Sequence, residues 1–141
     1  MNLEYKRSGD TIAIRLDEGD ELVASLKEAC RKEKVTSALV SGIGAVRKAE
    51  IAHFDPDTKE YHIKKLEGKL EIVSLSGNIA MHEGEAVPHL HIALSMRDFS
   101  TTSGHLMNAE IRPTCEIVLL LHNVKIRREH DDKTGLNLQR F

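Results

Sequence analysis

His89 and His91 stand two residues apart in the run Pro88-His-Leu-His-Ile-Ala-Leu-Ser95. In a strand, residues i and i+2 project from one face about 7 Å apart. The pair can therefore converge on one ion while Leu90 and Ile92 enter the core. A third ligand must come from a neighbouring element, and His105, directly after Ser103-Gly104, supplies it if the two strands pair as a hairpin. Neutral imidazoles suit zinc and similar borderline divalent metals, and three of them with the fourth position left to water form an open site that can activate that water or bind a ligand. The same spacing also arises on solvated faces and in hydrogen-bonded networks without a metal.

Acidic neighbours matter because a ligating histidine needs an orienting carboxylate and a bound water needs a proton acceptor. Glu83, Glu85, Glu110 and Glu116 are the candidates, although glutamate is by default a solvated side chain. His82 is a reserve ligand by its place in the sequence. His53, His62, His122 and His130 occur singly and read as surface or core-edge groups. Cys115, flanked by apolar strand residues, reads as an inert core thiol and not as a ligand. No Gly-x-Ser-x-Gly or Gly-x-x-x-x-Gly-Lys occurs, and Gly42-Ile-Gly44 lacks the third glycine and following helix of a dinucleotide site.

The elements that must position these residues are mostly strands. Thr11 to Asp17 alternates apolar and polar with period two, a strand with one buried face. Leu22, Val23, Leu26, Ala29 and Cys30 then recur at helical spacing, which predicts a helix over about 21–33 with Asp20 as its N-cap. Further strands are expected over 35–44, 46–54, 61–66 and 70–80, with a turn at Asp55-Pro-Asp-Thr58 and an interruption at Gly77. After the histidine strand, 97–104 reads as a polar loop, 105–111 and 115–127 as two last strands, and the polar end from Glu129 as an arm or a fraying tail. One helix among many strands predicts an α+β fold, a largely antiparallel sheet flanked by that helix.

At 141 residues the chain suits a single domain. Hydrophobic residues at 40% and charged residues at 30% fit a globular protein and exclude a disordered or fibrous one. The net charge of −2 provides no global field for nucleic acid or acidic membrane, so any such binding has to be local. Two distant cysteines read as reduced thiols, and no apolar run approaches a membrane span or a signal peptide. A cytoplasmic protein is expected.

Three stretches taken together resemble the plant and prokaryote conserved domain, called PPC. They are Ser41-Gly-Ile-Gly-Ala-Val46, Gly68-Lys-Leu-Glu-Ile-Val-Ser-Leu-Ser-Gly-Asn78, and Pro88 to Ser95 with Gly104-His-Leu106, in the family's order and within a likeness that runs from about residue 5 to 127. The resemblance implies an α+β fold, a homotrimer and, as in prokaryotic members, a metal site at His89, His91 and His105. One departure is visible between the second and third histidine, where the family often has an Asp-Gly turn and this chain reads Arg97-Asp-Phe-Ser-Thr-Thr-Ser-Gly104. Plant relatives carry a separate AT-hook with an Arg-Gly-Arg-Pro core that grips DNA, and no such core occurs here. Two functions follow as expectations. One is a stand-alone domain whose divalent metal, zinc by its ligands, binds a small molecule near a trimer interface; the other is a non-catalytic oligomerisation or interaction module that associates with DNA through local basic groups such as Arg47-Lys48, Lys64-Lys65 and Arg127-Arg128.

Overall fold

The alternation of Ile12, Ile14 and Leu16 with polar neighbours is realised in strand β2 (Thr11–Asp17), where every second residue is buried. A computed structural model describes residues 3–141, in which β2 pairs with a short first strand, β1 (Glu4–Ser8), that the sequence pattern did not reveal. Helix α1 (Leu22–Lys32) follows, close to the predicted span, and buries Leu22, Leu26, Ala29 and Cys30. Its N-cap is Glu21 and not Asp20. The Glu21 carboxylate accepts from Val23 and Ala24 N–H and also from Ala109 N–H, so it satisfies the helix start and ties it to the sheet. Asp20 is turned back and accepts from Asp17 N–H instead.

Four long strands carry the rest: β3 (Ala38–Asp55), β4 (Glu60–His82), β5 (Glu85–Ser95) and β6 (Thr101–Leu121). The sequence divides β3, β4 and β6 into shorter pieces, because glycines and polar residues inside them read as ends. The structure runs through these points with register shifts in β3 between Gly42 and Gly44 and between Val46 and Lys48. Such bulges bend a strand without ending it. The predicted turn after β3 is present, with Asp55 Oδ1 accepting from the N–H groups of Asp57 and Thr58.

All pairings among these strands are antiparallel. Because β3 pairs with β4 and β6, and β5 pairs with β4 and β6, the four close into a ring; β2 and β1 extend it from the far half of β6. Ile51, Leu75, Ile79, Leu90, Ile92, Leu94, Ile111, Ile117 and Leu119 fill the inside with the helix residues in one continuous core. The polar end, expected as an arm or a fraying tail, folds as a hairpin of β7 (Arg127–Asp131) and β8 (Leu136–Arg140). This hairpin meets β4 through a single parallel bridge, Met81 to Arg127. One helix on a mostly antiparallel sheet makes the chain an α+β domain in which the helix is the minor part. No helix among the described residues is long and apolar enough to cross a membrane.

Candidate metal centre

Burial of Leu90 and Ile92 on β5 leaves His89 and His91 on the outward face, as period two requires. His91 lies directly opposite His105 of β6. The hairpin between them is closed without glycine. Phe99 takes the left-handed conformation at φ 68° and is 89% exposed, while Asp98 accepts from Ser100 N–H and Oγ–H. The residue types depart from an Asp-Gly turn, yet the turn still brings His105 into line.

The three rings form a triangle with centroids 5.3, 5.5 and 5.9 Å apart. A ligand nitrogen from each lies within 4.8 Å of the others. Zinc with nitrogen ligands at about 2.0–2.1 Å needs them about 3.4 Å apart, a closure within reach of side-chain rotation. Two glycines hold the backbone for this. A Cβ on Gly77 would meet the carbonyl oxygen of His89 at 1.9 Å, and one on Gly104 would meet that of Ala52 at 2.8 Å. Only glycine lets β4 approach β5 behind His89 and lets β6 approach β3 beside His105.

The electrostatics favour the ligand form of the imidazoles. Burial, reinforced by Arg128, His105 and His91, lowers the pKa of His89 from 6.5 to about 4. Burial and His91 also lower that of His105. Both rings are therefore neutral near pH 7, with a lone pair free for a metal. Tyr61 flanks His105 at 5.4 Å between centroids. Beside His91 a shallow depression of about 210 Å³ is lined by Ser74, Ser76, Ala93, Ser103 and Gly104.

The acidic candidates are not brought to this cluster. Glu83 and Glu85 sit at the β4–β5 turn, and at about 3.3 Å per residue four positions carry Glu85 about 13 Å along the strand from His89. Glu110 is committed to an ion pair with Arg47. Glu116 lies across from Ile43 and Arg15, toward the other end of the sheet. His82 lies outside the cluster as well; its Nδ1 donates to the Arg128 carbonyl at 3.0 Å and its Nε2 lies 3.9 Å from the Glu83 carboxylate. The Cys115 thiol is buried and its pKa is pushed up to about 12, chiefly by that burial.

Arg128, which the sequence offers only as part of a local basic group, lies beside the cluster. Its guanidinium donates to Asn78 Oδ1 at 2.8 Å and reaches His89 Nδ1 at 3.4 Å. No spacing signal links residues 39 positions apart; only the docking of the last hairpin brings them together.

The surroundings of the cluster are apolar on one side. Paired residues run across the outward face as Leu120, Leu39, Asn78 and His89, and in the next row as Val118, Ser41, Ser76 and His91. Leu39, Ile43, Val73, Val118 and Leu120 are all exposed there. The local basic groups are largely neutralised, Arg47 by Glu110, Lys48 by Glu67, Lys65 by Glu50 and Arg127 by Glu129.

Comparison with known proteins bears on this arrangement. The family model described as the Plants and Prokaryotes Conserved (PCC) domain matches residues 3–122. Among solved structures, a metal-containing protein from Archaeoglobus fulgidus is similar at 37% identity and TM-score 0.88, covering 100% of this chain and 99% of that one. A plant- and prokaryote-conserved (PPC) protein from Pyrococcus horikoshii is similar at 33% identity and TM-score 0.87, covering 99% and 95%. A protein from Bacteroides thetaiotaomicron, described as a candidate DNA-binding protein, is similar at 30% identity and TM-score 0.94, covering 99% and 97%. No curated protein matches the chain by sequence.

Proposed function

This chain belongs to the Plants and Prokaryotes Conserved (PCC) domain family, and from that membership and the cluster's geometry we propose that His89, His91 and His105 hold a divalent metal that binds a small ligand. Three imidazoles and no thiolate or carboxylate make zinc the best-suited ion. The observation that carries the reading is the convergence of the three ring nitrogens within 4.8 Å on one outward face. The metal-containing relative from Archaeoglobus fulgidus supports it. When bound, the metal supplies a Lewis-acid position for a ligand oxygen. The depression beside His91, about 210 Å³, offers room for a small molecule. With no carboxylate in the cluster there is no evident general base, so the reading is one of ligand binding, and catalysis is not part of it.

Assembly belongs to the same proposal. Exposed Leu39, Ile43, Val73, Val118 and Leu120 form an apolar face that a monomer would leave wet. A homotrimer through this face would set each histidine cluster at the margin of a subunit contact. A cytoplasmic location goes with it.

Zinc titration of chelator-stripped protein by calorimetry tests the metal, with His91→Ala as the comparison. A saturable uptake that His91→Ala abolishes supports the reading; equal heats from both proteins refute it. Sedimentation of the wild type and of Leu39→Lys/Leu120→Lys tests the trimer, which the charged pair should dissociate.

A second reading, a DNA-associated interaction module with an incidental metal, draws support from relatives described as candidate DNA-binding proteins, the one from Bacteroides thetaiotaomicron among them. The pairing of its basic groups with acids counts against it. It requires duplex binding that weakens steeply with salt and is indifferent to His91→Ala.

A further inference from the structure

We propose that Arg128 makes the histidine cluster a site for a small oxyanion, with one oxygen on the metal and another on the guanidinium. This deepens the metal reading and rests on it.

Arg128 is a half-buried cation whose polar partners are all neutral. Nη1 donates to the Asn137 carbonyl at 3.1 Å, Nη2 donates to Asn78 Oδ1 at 2.8 Å, and Nη2 also lies 3.4 Å from His89 Nδ1. Its Nε is buried with no partner at all. An arginine removed from water normally finds a carboxylate, because an uncompensated buried charge is costly. Here an N–H is left unmet on a side chain held in place at both ends. His82 Nδ1–H grips its backbone carbonyl, and Asn78 and Asn137 grip its head.

The contact with His89 sharpens the point. A guanidinium can only donate, so His89 Nδ1 must be the acceptor. A metal taken by Nδ1 uses up that lone pair. A metal taken by Nε2 leaves the ring proton on Nδ1, facing another donor. Either way Arg128 loses an acceptor when the metal arrives, while a divalent charge is added beside its own. Three neutral imidazoles do nothing to balance those charges, and no carboxylate belongs to the cluster.

An anion on the metal balances the two charges and gives Nη2 an acceptor in place of His89 Nδ1. The planar fork of arginine matches a carboxylate or phosphate group, and such charge-assisted hydrogen bonds are about twice as strong as neutral ones. The shared chemistry is a small oxyanion; a carboxylate and a phosphate are its two sources.

The test uses the full chain loaded with Co2+, whose visible spectrum reports on its own ligands. Cobalt content is measured first in the wild type, Arg128→Gln and Arg128→Lys. Each protein is then titrated with acetate, a planar probe, and with methylphosphonate, a tetrahedral one. The expected result is a saturable spectral change in the wild type and affinity weaker by about tenfold or more in Arg128→Gln at unchanged cobalt content. The tighter of the two probes identifies the source. Arg128→Lys, which keeps the charge but loses the fork, should hold methylphosphonate better than acetate, and it serves as the test if the glutamine variant does not fold. Equal anion affinity in the wild type and both variants, or no saturable response in cobalt-loaded wild type, overturns the proposal and leaves the metal site standing. A wild type that takes up no cobalt removes the metal reading itself, and this proposal with it.

Discussion

Two pairs of histidines face each other across strands in this protein, and they differ in everything except that pairing. His91 opposes His105 between β5 and β6, while His53 opposes His62 between β3 and β4. The second pair lies where β3 and β4 run on past the last residue of β3 that pairs with β6, Ala52 opposite His105. There the sheet is a ribbon two strands wide and both rings are exposed. The first pair lies where the ring of four strands closes, so β5 adds His89 beside it and the last hairpin adds Arg128. Cross-strand pairing alone therefore does not make a metal site. A third donor, and the partial burial that lowers the pKa of His89 and His105, are what the closed ring adds.

The largest effect that separates the two pairs is on metal affinity. His105→Ala should weaken zinc binding by more than about a hundredfold, beyond what loss of an outer-shell partner costs, whereas His62→Ala should leave it unchanged in the same calorimetric titration. Equal losses would erase the distinction. Next in size, Gly77→Ala forces β4 away from the His89 carbonyl and should lower stability by about 2–3 kcal/mol with a parallel loss of metal affinity, measured by denaturant unfolding with and without zinc. An alanine at a ribbon position such as His53 should cost neither.

A smaller effect concerns pH. In the unfolded chain His89 takes a proton near its ordinary value of 6.5, but in the folded chain only near 4. The metal-free protein should thus lose stability as pH falls from about 6.5 to about 4, with no further loss from this group below that. Because the ring is part-exposed, the loss is on the order of 1–2 kcal/mol, and His89→Ala should flatten that stretch of the stability profile. Smallest of all, Phe99→Gly removes a left-handed phenylalanine and should stabilise the turn by roughly 0.5–1 kcal/mol, read as a modest rise in melting temperature with zinc affinity kept.

Much of this was legible in the residues. The helix is visible from Leu22, Leu26 and Ala29 at helical spacing, and the outward placement of His89 and His91 follows from Leu90 and Ile92 between them. The lengths of β3, β4 and β6 were not: Gly42 and Gly44 point to close approach or a bulge, which is what they provide, but a strand end is read beside them, and Gly77 looks like an interruption yet lies within continuous β4. The glutamates show the limit of nearness in sequence. Glu85 is four residues from His89, yet an extended strand turns four residues into a long separation. Arg128 shows the converse, a distant residue in a polar segment expected to serve as an arm or fray, which the β7–β8 hairpin delivers to His89.

The central claim is that the three histidines form a metal centre, and its most direct test is metal content per chain by elemental analysis of untagged protein, wild type against His89→Ala/His91→Ala. Near-stoichiometric zinc or a similar divalent metal in the wild type and its loss in the double variant is the predicted result. Metal-free preparations of both, with equal thermal stability before and after added zinc, would contradict it and leave the cluster an ordinary polar group on the sheet.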